Sequence, residues 1–108
     1  SSEERLVLGA ELLNPSLLSL LLDFKEGFLK QKEPFQFSIT SFQLQERGEV
    51  EGTTKEGWRI LLNVNEDMEW EETKLQVVME QKVPLERRGD LEYVDIRFGD
   101  QAYIKYAD

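Results

Sequence analysis

The sequence predicts an α+β domain built on a mainly antiparallel sheet of about five strands and two helices, in the order α-β-β-β-α-β-β. Three observations carry that expectation. A leucine-rich stretch at helical spacing lies near the start; a second helical stretch opens on a run of acids; and short alternating runs rich in β-branched and aromatic residues lie between and after them.

In chain order, residues 6–13 form a short apolar approach, and Asn14-Pro15 is a suitable helix start, Asn as cap and Pro in the first turn. The helix is expected over residues 15–30. Its Leu17/Leu21/Phe24/Phe28 stripe faces the core, its many leucines imply burial on more than one side, and Lys25 and Lys30 suit its negative end. After Pro34, residues 35–39 alternate as a half-buried strand. The phase slips at Phe42 and Leu44, which requires a bulge or a strand crossing between two environments near Thr40-Ser41. Arg47-Gly48 is a turn, and residues 49–54 form a thin, weakly packed edge strand with Val50, Gly52 and Thr54 on one face.

Glu56-Gly57 turns the chain into the expected central strand, where Trp58, Ile60, Leu62 and Val64 share a face opposite Arg59 and Leu61. A second helix starts at Asn65 or Asp67 and runs to about Lys82, with Leu75, Val78 and Met79 toward the sheet. Pro84 closes it. Residues 91–98 and 101–106 then read as two strands of a hairpin joined by the two-residue turn Gly99-Asp100. Val94, Ile96 and Phe98 are expected on one face of the first strand, and Ala102, Ile104 and Tyr106 on one face of the second.

Composition narrows the function classes. The chain has 108 residues, enough for one domain; with 40% hydrophobic and 32% charged residues it is expected to fold rather than remain disordered. A net charge of −9 opposes nucleic-acid and anionic-membrane binding, which rely on clustered Lys and Arg, and leaves proteins as the expected partners. There is no Cys and no His, which excludes thiol nucleophiles, disulfides, Cys/His zinc sites and the usual neutral-pH base. No cofactor is expected. The opening Ser1-Ser2-Glu3-Glu4 suggests a fragment of a longer protein.

Several features carry a bland reading beside a sharper one. The acidic run from Glu66 to Glu72 lacks the glycine and oxygen spacing of a calcium loop and reads as a solvated helix start, with Trp70 covering a sheet edge or a partner. Asp95 and Asp100 could be an acid/base pair, but a domain this small leaves little room for a cleft, so no enzyme is expected. Tyr93, Phe98, Tyr103 and Tyr106 suit sheet packing and interfaces alike, and Arg97 beside Asp95 suits an ordinary ion pair.

One segment is more distinctive. Tyr93-Val94-Asp95-Ile96-Arg97-Phe98, a tight turn and then Ala102-Tyr103-Ile104-Lys105-Tyr106 resemble the ending of the β-domain of FtsQ/DivIB-type bacterial division proteins. Leu6-Val7-Leu8-Gly9, the stretch from Glu56-Gly57-Trp58 to Leu62, and the Lys74–Met79 helix are similar to that family's pieces in the same order. The resemblance implies a membrane-anchored, extracytoplasmic scaffold without catalytic activity. It also implies that FtsB/FtsL (DivIC-type) partners bind by strand addition near the C-terminus, through Arg97, Phe98, Tyr103, Lys105 and Tyr106, and that the isolated domain is monomeric. The short turn and the prompt end after Asp108 depart from the family pattern. The alternatives are a self-associating α+β module of an assembly or secretion apparatus, and a small carbohydrate-binding domain.

Overall fold

The computed structural model describes residues 15–107; the apolar approach over residues 6–13, its Leu6-Val7-Leu8-Gly9 piece and the Asn14 cap lie outside them. Helix α1 (Pro15–Leu29) is followed by strands β1 (Ile39–Leu44), β2 (Glu49–Thr54) and β3 (Arg59–Asn63), then helix α2 (Met68–Gln81) and strands β4 (Leu91–Asp95) and β5 (Tyr103–Tyr106). Short 3₁₀ turns over Glu46–Gly48 and Leu85–Asp90 complete the chain path. The five strands lie in sequence order, antiparallel except for the β3–β4 pair, which α2 connects. The predicted α+β order α-β-β-β-α-β-β is the observed one. Among the described residues no helix is long and apolar enough to cross a membrane.

The core forms where α1 and α2 pack onto one sheet face. Leu21, Phe24 and Phe28 of α1, Leu75, Val78 and Met79 of α2, and Ile39, Phe42, Val50, Trp58, Ile60, Leu62, Val94 and Ile96 from the sheet side are all buried in one cluster. An aromatic chain crosses it. Phe24 meets Phe28 edge-on at 5.1 Å, Phe28 stacks on Phe37 at 4.7 Å, and Phe37 meets Trp58 edge-on at 4.8 Å. Each such pair contributes about 0.5–1.5 kcal/mol beyond simple burial. The leucines of α1 are not buried all round, because Leu20, Leu22 and Leu29 are about two-fifths exposed.

Of the two readings of the phase slip, the bulge is the one observed. Ile39 pairs with Thr54 and Ser41 with Thr53, so Thr40 is the extra residue that moves Phe42 onto the same buried side as Ile39. Residues 35–38, expected to begin that strand, are irregular. The Arg88 guanidinium takes the Pro34 and Gln36 carbonyls at 2.6 and 2.9 Å while also pairing with Glu56, so the groups a ladder would use are already occupied. The expectation of a weakly packed edge over residues 49–54 also fails: β2 lies between β1 and β3, with Val50 and Thr54 buried. It reads as thin because Gly52 leaves room for the Phe42 ring, which an added Cβ would meet at 3.3 Å.

The β4–β5 connection departs from the expected two-residue hairpin. The tight turn exists, with Gln101 N–H donated to the Phe98 carbonyl at 2.9 Å and Gly99 at φ +58°, but it caps a longer loop over residues 96–102. The physical reason is competition for Ile96. Its N–H goes to Leu61 of β3 at 2.8 Å, so the chain stays with β3 after β4 has left β5. Phe98 therefore does not join Val94 and Ile96 in the core; it is about half exposed.

Candidate protein-binding edge

The described sheet ends at β5, and the direction of its backbone groups follows from two hydrogen bonds. Ile96 donates to β3, and Ala107 donates to the Asp90 carbonyl at 2.8 Å. Because successive residues of a strand turn their N–H and C=O to opposite sides, Tyr93 and Asp95 face β5, and Tyr103 and Lys105 face β4. Ile104 and Tyr106 direct theirs outward, without a backbone partner among the described residues. The opposite edge, β1, is interrupted by the Thr40 bulge, a device that blunts strand pairing. β5 is the better template.

Along β5 the side chains alternate as predicted. Tyr103 and Lys105 are exposed on the outer sheet face, while Ala102, Ile104 and Tyr106 are half-buried against the core. Between β5 and α2 runs a groove of about 330 Å³ lined by Trp70, Lys74, Val77, Lys82, Ala102 and Ile104 among others. Its floor is apolar and its rim carries lysines. Trp70 and Val77 are each about two-fifths exposed, and both line this one groove.

One carbonyl anchors the end of this groove. Trp70 Nε1 donates to Gly99 O at 3.0 Å, and Lys74 Nζ donates to the same oxygen. Lys74 also pairs with Glu71 Oε2 at 3.2 Å, both side chains being almost fully buried, while Glu71 Oε1 accepts the Asn63 N–H at 3.1 Å. Burial pushes the Glu71 carboxyl above its ordinary range, and the Asn63 N–H and Lys74 oppose that push. The acidic run is thus only partly a solvated helix start. Asp67 caps α2 through the Glu69 and Trp70 N–H groups, whereas Glu71 turns into the protein.

The five residues singled out from sequence divide into two groups. Phe98, Tyr103 and Lys105 stand at the edge and exposed, with the Phe98 and Tyr103 rings edge-on at 6.3 Å and the Tyr103 hydroxyl donating to Gln101 at 2.6 Å. Tyr106 is half-buried beneath the Arg87 guanidinium, 4.1 Å from its ring centre. Arg97, just past the end of β4, turns back to that strand and to β2: it grips both Asp95 oxygens at 2.9 and 2.7 Å and Glu49 at 3.0 Å. The Asp95 hydrogen bonds hold its guanidinium charged beyond even the usual range.

That geometry predicts the behaviour of Arg97. Arg97→Ala leaves the nearly buried Asp95 carboxylate without its partner and should lower unfolding free energy by about 2–3 kcal/mol. Adding Asp95→Asn should recover most of the loss, measured by urea denaturation at pH 7. A side chain serving only as a partner contact would show neither effect.

Sequence reasoning noted Trp70 but missed Lys74, Val77, Lys82 and Ile104 as one surface. The available signal was the Trp70/Lys74/Val77 spacing, a second stripe beside the Leu75/Val78/Met79 core stripe. No family model matches this chain, and no curated protein shows detectable similarity to it.

Proposed function

We propose that this chain is a non-catalytic protein-binding domain that accepts an added strand at β5, acting as the extracytoplasmic β-domain of an FtsQ/DivIB-type division scaffold. The observation that carries the binding reading is the coincidence of outward backbone groups at Ile104 and Tyr106 with the apolar groove beside them. Main-chain hydrogen bonds supply affinity in such a contact, and alternate side chains of the incoming strand find the groove and the outer face. Phe98, Tyr103 and Lys105 border the outer face, and Trp70, Val77 and Ile104 border the groove. The identity of the partner, an FtsB/FtsL (DivIC-type) segment, rests on the Tyr93–Phe98 resemblance.

Calorimetry with the extracytoplasmic segments of such partners from the same organism is the test. One-to-one binding in the micromolar range is expected, weakened at least tenfold by Tyr103→Ala combined with Trp70→Ala. A folded domain that takes up no segment at several hundred micromolar would overturn the reading.

A further inference from the structure

We infer that the β5 edge also accepts a second copy of this chain, in one particular register, so that a partner strand must displace a self-pair. This inference rests on the reading of β5 as an open edge and adds how that edge is regulated. A two-fold antiparallel pairing of β5 with itself must bring together residues whose backbone groups point outward, which are Ile104 and Tyr106, with Ala102 following the same alternation.

Only a few registers meet that condition. Centring on Lys105 would set Ile104 against the second copy's Tyr106 but would place the two Lys105 ammonium groups directly opposite, and like charges there are destabilising. Centring on Tyr103 would draw Asp100 and Gln101 into the ladder, although they belong to the tight turn closed by the Gln101 N–H on the Phe98 carbonyl. Centring on Tyr106 leaves almost no overlap. Centring on Ile104 has none of these faults.

In the Ile104 register the two Ile104 residues exchange their N–H···O bonds, and Tyr106 of each copy meets Ala102 of the other. On the groove side this sets a large ring against a methyl and isoleucine against isoleucine. On the outer face each Tyr103 stands opposite the other copy's Lys105 at a closely spaced non-hydrogen-bonded position. Tyr103 and Lys105 are exposed, and Lys105 has no ion-pair or ring partner among the described residues, so it is free to lie over that ring. The pairing thus answers the charge that otherwise protects this edge. A net charge of −9 on each copy works against it, so the pair should tighten as salt rises and screens that repulsion.

Single-cysteine variants in this cysteine-free chain read the register directly. Under mild oxidation, a mixture of Tyr103→Cys and Lys105→Cys should form the mixed disulfide dimer at least tenfold faster than Lys105→Cys alone or an exposed Glu80→Cys control. Sedimentation of the unsubstituted chain should show a concentration-dependent dimer, in place of the monomer that the resemblance implies. Mixed cross-linking no faster than the Glu80→Cys background, or fastest cross-linking by Lys105→Cys alone, would overturn the proposal. The partner segment separates the two ideas: it should suppress the mixed disulfide if both hold. Segment binding without cross-linking removes only the self-pair, and cross-linking without segment binding removes only the partner reading.

Discussion

Replacing Lys74 with Met should destabilise the domain by about 3–5 kcal/mol at pH 7, because the variant strands an ionised Glu71 inside the protein. Glu71→Gln alone should cost a similar amount, since Lys74 would keep its charge with the Gly99 carbonyl and the Trp70 ring, 5.9 Å away, but no carboxylate to hold it. The double variant should be far closer to the parent. A buried pair replaced on both sides loses its attraction and its desolvation cost together.

Acidity separates this account from a simple packing defect. The Glu71 carboxyl already titrates above its ordinary value of 4.5 in the folded protein, and removing Lys74 raises it further. An acid whose folded value exceeds its unfolded one binds more protons when folded, so stability rises as pH falls through the folded value and levels off near 4.5. The deficit of the Lys74→Met variant should therefore shrink between pH 7 and pH 5, measured against the parent by chemical denaturation. A deficit that stays constant across that range would point to lost packing instead.

The same pair shows where the sequence was legible and where it was not. Periodicity located Trp58, Ile60 and Leu62 on the core face, Leu75, Val78 and Met79 toward the sheet, and the slip at Thr40, because each depends on neighbours a few positions away. Glu71 could not be read that way. Its burial depends on Asn63 and Lys74 together, and a glutamate in an acidic helix start ordinarily faces water. Residues 35–38 alternate like a strand, yet Arg88, more than fifty positions later, donates to the Pro34 and Gln36 carbonyls. The groove joins α2 to β5: the Trp70/Lys74/Val77 spacing marks its helix wall, but no local pattern brings Ala102 and Ile104 to it. The exposed face of Tyr103 and Lys105 was legible because both sit on one strand, whereas Phe98 lies in the loop before it; Arg97 was named from the resemblance, and its direction was set by Asp95 and by Glu49 on β2.

Two proline substitutions on adjacent residues should have opposite consequences, and their contrast tests the orientation of β5. Proline removes one N–H and holds φ near the strand range, so on an edge strand it is tolerated only where that N–H faces solvent. Lys105 faces β4, opposite Tyr93. Lys105→Pro should therefore cost about 2–3 kcal/mol more than Lys105→Ala, from a lost ladder bond and an unsatisfied acceptor on β4. Ile104 faces outward, so Ile104→Pro and Ile104→Ala should unfold at nearly the same denaturant concentration, both losing only the half-buried side chain. Binding should show the reverse pattern: Ile104→Pro should weaken an added strand about 10–100-fold beyond Ile104→Ala, while folded Lys105→Ala loses much less. If Ile104→Pro instead unfolds the domain as Lys105→Pro does, the outward direction assigned to Ile104 is wrong. The edge would then offer its hydrogen bonds from Tyr103 and Lys105, and an added strand would meet the outer face in the other phase.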